Sequence, residues 1–436
     1  MSMTLAQRSA ELTPLVAHGD HTDAAPGPRP HSLTRRLVER FALITLALYH
    51  LPLFLNNYPS LGGGGMDTGL AVSWGHVFTP PGMWVARHIL GATGPMPSGN
   101  QGDNGDVAEE FGRLLLAVTI GVIGAICWSL ADRKRPRARW AGDWLRVLLR
   151  YSIALGIASY AIAKILPMQF PPIDPRTLEV RVGDLTPMSL LWTFMQYSRP
   201  YAFFAGVMEL AVVVLLCFRR TATLGAVICI VVMVNVALMN YAYGVPVKLY
   251  ATMTVISAVV LVLYDSRRLL ALFVSNRTAA PAQLESLSQD RIPPSIRWPI
   301  KFVLVGSVVL SSVFAMRGIL GQPRPTSPID GTWTVTSFAA QAADSLHWRR
   351  VIVQGNTLSI RLASDAFMRC QTTASNATSI TLACSRNRKG ELRWTRTGDA
   401  LQFEGVFDGV PVSVGGRLVP PSAYRLTQGK FHWIID

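Results

Sequence analysis

Residues 200–243 read PYAFFAGVMELAVVVLLCFRRTATLGAVICIVVMVNVALMNYAY. Two apolar runs, 200–218 and 222–243, are separated by the pair Arg219-Arg220. A helix needs about 20 apolar residues to cross the hydrocarbon of a bilayer, and both runs reach that length. Lys and Arg gather at the cytoplasmic ends of such spans, so the arginine pair marks a turn on that side.

The pattern extends both ways. Further candidate spans fall at 37–57, 110–131, 145–167, 247–264 and 299–319. Arg35, Arg36 and Arg40 attend the first. Arg133, Lys134, Arg135, Arg137 and Arg139 lie between the second and third. Arg267, Arg268, Arg277, Arg291, Arg297 and Lys301 fill the stretch before the last. Every second connection is basic, as an N-in, C-out chain of about seven spans requires. The expected class is mainly α: a polytopic transmembrane helix bundle in the inner (plasma) membrane of a bacterium.

Composition agrees. Half of the 436 residues are hydrophobic and only 15% are charged, against about 25% in soluble proteins. The net charge of +15 does not form the basic stripe with interleaved aromatics that marks a nucleic-acid binder, so the expected partner is the lipid bilayer and not nucleic acid. Residues 1–33 are polar, rich in Pro, Ala and His, and read as a disordered cytoplasmic tail. No cleavable signal peptide is evident, because the first apolar run starts only after Arg40 and is long enough to remain in the membrane. The connection 58–107 holds Gly62 to Gly65 and an interrupted apolar run, Trp74 to Leu90, expected to be re-entrant or interfacial. The connection 168–198 carries a surface helix from Met188 to Tyr197.

The character changes after Leu320. Residues 321–330, with Pro323, Pro325 and Pro328, form a stiff linker between the helical part (34–320) and a domain at 331–436. There, eight short alternating segments are separated by turn signals such as Gly355-Asn356, Gly398-Asp399 and Asp408-Gly409. Strands at this spacing give an antiparallel barrel or sandwich, and the topology puts it on the periplasmic side. Gly331-Thr332-Trp333 resembles the opening of lipocalin-like barrels. Cys370 and Cys384 sit nearly equidistant from the turn Ser375-Asn376-Ala377 on successive strands. They are either a hairpin disulfide, which an oxidising compartment preserves, or two unrelated cysteines. Cys127, Cys217 and Cys229 lie in apolar runs as packing residues. There is no CxxC, no Cys/His zinc spacing and no other metal motif. The aromatic residues Trp333, Trp348, Trp394 and Trp433 read as core, and without a catalytic pattern the domain reads as a binding or docking module.

Ionisable residues inside spans are functional candidates by default. Glu209 lies mid-span, Lys164 and Lys248 lie just inside outer ends, and Arg113 lies at an outer end. Asn240, Tyr243, Gln169, Tyr160 and Asn235 lie at similar depths. Two readings stand open. In one, the lysines snorkel to the interface and a neutral Glu209 bonds a neighbouring helix. In the other, Arg113, Lys164 and Lys248 hold a small anion or quinone head group, with Asn240, Tyr243 and Gln169, while Glu209 relays a proton. His50 near the first span's outer end is more simply a packing residue.

From Tyr151 to about Leu270 the chain resembles the DoxX-like family of four-helix bacterial membrane proteins. The resemblance rests on Tyr160-Ala161-Ile162-Ala163-Lys164 with Gln169-Phe170-Pro171, on Pro187 to Met195, on Gly206 with Glu209, on Arg219-Arg220-Thr221, and on Asn240 with Val245-Pro246-Val247-Lys248-Leu249. It is closest to a longer subgroup with preceding spans and a C-terminal β region. Some such proteins are subunits of a thiosulfate:quinone oxidoreductase. The resemblance therefore implies a quinone- or small-anion-binding subunit of a membrane redox complex, with a redox partner subunit supplying the electron carrier. A small-solute transporter or channel, and a scaffold recruiting a periplasmic partner through the β domain, are the rival classes.

Overall fold

The computed structural model describes residues 32–57, 69–93, 106–132, 139–279, 326–340, 347–375 and 378–428, with isolated positions between 281 and 310. Residues 1–31 of the expected tail therefore lie outside the described residues, and Leu33 already opens the first helix. The helices are α1 (Leu33–Asn57), α2 (Gly69–His88), α3 (Ala108–Ala131), α4 (Arg139–Ile165), α5 (Pro175–Leu178), α6 (Pro187–Tyr197), α7 (Arg199–Cys217), α8 (Ala222–Tyr243), α9 (Lys248–Tyr264) and α10 (Ser266–Leu269).

Four of these, α3, α4, α7 and α8, are long and apolar enough to cross a membrane. A fifth is added if α9 and the segment Ser266–Val274, bent from it by 71°, count as one span. These match five of the expected runs to within a few residues. Of the other two, 37–57 falls in α1, whose first two turns carry Arg35, Arg36, Glu39 and Arg40. The run 299–319 lies largely outside the described residues, although Phe302, Val303, Gly306 and Leu310 are helical. The interrupted run 74–90 is a helix, α2, with Pro80 and Pro81 inside it.

Small residues let the helices approach closely, as membrane packing favours. A methyl group at Gly206 on α7 would stand 2.9 Å from both Ala161 O and Ile165 N of α4. One at Gly112 on α3 would collide with the Gly82 carbonyl of α2. The antiparallel pair α4 and α7 is closed at both ends by arginine. Arg150 on α4 donates to Leu216 O at 3.0 Å and Cys217 O at 3.2 Å, the free carbonyls that end α7. Arg199 at the start of α7 donates to Lys164 O at 2.8 Å and also to Ile165 O, which end α4. Terminal carbonyls have no partner within their own helix, so each helix satisfies the other's.

The C-terminal domain is a closed barrel of β1 (Gly331–Ala340), β2 (Trp348–Gln354), β3 (Thr357–Leu362), β4 (Phe367–Ser375), β5 (Ser379–Cys384), β6 (Lys389–Thr397), β7 (Ala400–Phe407) and β8 (Val410–Val419), in sequence order, with β8 paired back to β1. Of barrel and sandwich, the alternation resolves to a barrel. Eight strands leave an interior that side chains can fill. Trp333, Trp348, Leu358, Ile360, Leu382, Phe403 and Phe407 are among those filling it. Asp408 and Gly409, with φ of 54° and 80°, make the tight turn between β7 and β8, as the primed hairpin turns require. Trp333 Nε1 donates to Ile329 O at 2.9 Å, and Arg396 lies 5.2 Å over the same ring. Cys370 and Cys384 are register partners across β4 and β5, joined by a disulfide.

Candidate functional site

The charges inside the spans fall into two groups. Lys164 and Glu209 meet. The ammonium donates to both carboxylate oxygens at 2.9 Å, and both side chains are buried. Gly206, three residues before Glu209, brings α7 against the last turn of α4, and the lysine stem turns into the bundle. Its ammonium also lies 5.7 Å over the Tyr160 ring. A buried charge needs a partner, and each of these supplies the other's.

The pair lies in the wall of a cavity between α4, α6, α7, α8 and α9. The cavity measures about 660 Å³, counted with the space open to solvent at its mouth. Aromatic and methionine side chains dominate the lining: Tyr160, Phe170, Trp192, Met195, Met233, Met239 and Tyr250. Tyr160 and Tyr250 stack with ring centres 5.7 Å apart. Among the polar residues are Gln169, whose Oε1 is buried with no hydrogen-bond partner among the described residues, and Asn240, whose amide donates to Val247 O at 3.3 Å. An apolar, aromatic-lined cleft with a few polar groups in its wall has the composition of a small-molecule site.

The remaining candidates are placed elsewhere. Lys248 Nζ pairs with Asp106 at 3.2 Å, and the same carboxylate accepts from the backbone N–H of Lys248 at 2.9 Å and Leu249 at 2.8 Å. Asp106 thus caps α9 from the start of α3. Arg113 pairs with Glu110, one turn back on α3, and lies 3.9 Å from the buried Glu109. Tyr243 packs beside Phe170, Leu191 and Val245 without joining the lining, and Asn235 is exposed. His50 is buried with Nε2 2.8 Å from Ser257 Oγ. The expected ring of three cations therefore resolves into one lysine at the cavity and two residues tied to their own acids. Among the described residues no group of three or more His, Cys, Asp or Glu is arranged to hold a metal.

Trp192, Met195 and Tyr250 were not singled out as site residues from sequence, because an aromatic or methionine in an apolar run carries no mark of the face it occupies. A carboxylate in the α4–α6 connection was also missed. Glu179 is buried beneath the barrel and accepts from Arg361 at 3.1 Å and from the Tyr424 hydroxyl, with Arg350 Nε at 3.3 Å.

No family model matches the chain, and no solved structure matches it. Over 124 residues it is 32% identical to a protein of Bacillus subtilis (strain 168) described as "Uncharacterized protein YwoB"; the match covers 28% of this chain and 79% of that relative.

Proposed function

This chain belongs to one family with the Bacillus protein YwoB, whose description names no activity; from that premise we propose, on the geometry of the site, that the α4–α9 cavity binds the head group of a membrane quinone. The lining carries this reading. The aromatic side chains Tyr160, Phe170, Trp192 and Tyr250 offer apolar faces to a flat ring, and Lys164, Gln169 and Asn240 offer polar groups to head-group oxygens. A free small anion is the poorer occupant, because Lys164, the one cation in the wall among the described residues, is already matched by Glu209.

On this reading the chain is the quinone-holding subunit of a redox complex, as the DoxX-like resemblance implies. Glu209 passes a proton while Lys164 steadies its charge, and electrons come from a partner subunit. The arrangement in the membrane follows the basic connections: Arg219-Arg220 lie at the end of α7 remote from the α4–α6 connection, and the barrel touches that connection. This supports a cytoplasmic N-terminus and a periplasmic barrel.

Native mass spectrometry of the protein extracted gently from its own membrane tests the proposal. A bound quinone that is lost on Glu209→Gln with Trp192→Ala is the expected result. A protein that carries only lipid in both forms would overturn it. Solute flux in proteoliposomes would then point to a carrier.

A further inference from the structure

The connection between α4 and α6 is a part of the cavity wall with few fully buried residues. Gln169 and Phe170 at its start, and Leu191, Trp192 and Met195 after it, all line the cavity. Between Phe170 and the start of α6 at Pro187 the chain makes only the single turn of α5 and a short 3₁₀ turn at Val182–Asp184. Only one residue in that interval is buried, and it is a carboxylate, Glu179. The segment's apolar contact is slight: Met188, in the first turn of α6, packs partly buried against the Phe170–Leu191 cluster, and Glu179 is the one fully buried side chain between the two lining ends.

The barrel supplies what Glu179 needs. Arg361 donates from Nη1 at 3.1 Å, Arg350 approaches at 3.3 Å, and Tyr424 donates its hydroxyl from the far end of the domain. Beside this cluster Arg181 pairs with Asp365, which Arg349 and Arg361 also hold at 3.1 and 2.9 Å, and Arg176 lies 5.7 Å over the Phe367 ring. Exposed ion pairs of this kind contribute little. A buried carboxylate with three convergent partners is different, because leaving it unpaired is costly.

We infer that Glu179 is a positioning residue, through which the barrel seats the outer wall of the cavity, so that ligand binding in the bundle depends on the barrel being docked. The ligand half of this inference rests on the cavity being a binding site; the mechanical half does not. Releasing Glu179 frees the segment that carries Gln169 and Phe170 at one end and Trp192 at the other. The fraction of molecules with a competent cavity then falls, and the apparent affinity falls by the same factor.

Hydrogen–deuterium exchange on the full chain in lipid nanodiscs, comparing wild type with Glu179→Gln, provides the test, together with titration of a short-chain ubiquinone analogue. Amides of residues 171–197 should exchange at least about tenfold faster in the variant, with α7–α9 and the barrel strands unchanged. The analogue should bind about tenfold more weakly. Tyr424→Phe, which removes one donor and spares the rest, should give a smaller change in the same segment and serves if Glu179→Gln fails to fold. Wild-type exchange at 187–197 in these variants would overturn the inference, as would an increase spread evenly over α7–α9. If wild type binds no quinone analogue while the exchange result is as expected, the quinone reading fails and the seating of the wall by Glu179 stands.

Discussion

The bundle and the barrel present opposite chemistries to their surroundings. In the barrel, Trp333, Trp348, Phe403 and Phe407 face inward and arginines such as Arg349 face out. In the bundle, large apolar side chains such as Val231, Leu238 and Leu263 face out, while Lys164, Glu209, Asn240, Thr254 and Ser257 are buried. Water drives apolar groups together in the first case. In lipid that drive is absent, and close backbone approach and polar pairing hold helices together. The same chain is thus written for two solvents, and a substitution should be judged by which one its surroundings face.

The largest test of that contrast is the buried ion pair. Glu209→Ala leaves Lys164 uncompensated and should destabilise the bundle by about 3–5 kcal/mol, while the paired change Lys164→Met with Glu209→Leu should be close to neutral for folding and lose any ligand binding. Thermal unfolding in detergent, read by circular dichroism, checks both; equal damage from the single and the double change would break the comparison. In the barrel the matching device is covalent. Replacing Cys370 and Cys384, 14 residues apart, by alanine should lower barrel stability by about 3 kcal/mol, measured as an earlier loss of near-ultraviolet signal from the buried tryptophans, with the helical signal unmoved. Next comes Gly206→Ala, which overpacks α4 against α7 and should cost about 1–3 kcal/mol, whereas alanine at the exposed turn residue Gly183, with nothing within 4 Å, should change the melting temperature little.

The smallest effect expected is at the junction of the two regions. Burial, and then the hydrogen bond to Glu179, push the Tyr424 hydroxyl from 10.0 up to about 12. A raised folded value means the bond's contribution is complete below pH 10 and is lost as the pH rises through about 12. The difference between absorbance titrations of wild type and Tyr424→Phe should isolate one phenolate that forms near pH 12 and not near pH 10.

Much of this architecture was legible because each solvent imposes a period. Bilayer thickness fixes span length, so the limits of α3, α7 and α8 could be read to within a few residues. The pleat fixes alternation, and hence the strands and the cysteine register. Charges inside apolar runs advertise themselves, which is why Lys164 and Glu209 stood out. Their partners did not always do so. Asp106 and Glu179 lie in polar connections without periodicity, and nothing local distinguishes a carboxylate that caps a distant helix from one that faces water. The expected convergence of Arg113 and Lys248 on the cavity gave way to pairing with Glu110 and Asp106 for that reason. Closure of the strands into a barrel, and the apolar faces that meet around the cavity, are likewise properties of packing that no single stretch encodes.

Glu179 also sets an order in time. It precedes Arg361 by 182 positions and Tyr424 by 245. At a synthesis rate of about 5–20 residues per second, its partners emerge roughly ten to fifty seconds after it does. Until then the carboxylate has no barrel to close against, and the wall it holds has no seat. A nascent chain whose barrel has not yet emerged would carry a bundle with an unseated wall, so the folding of the barrel and the maturation of the cavity become a single event.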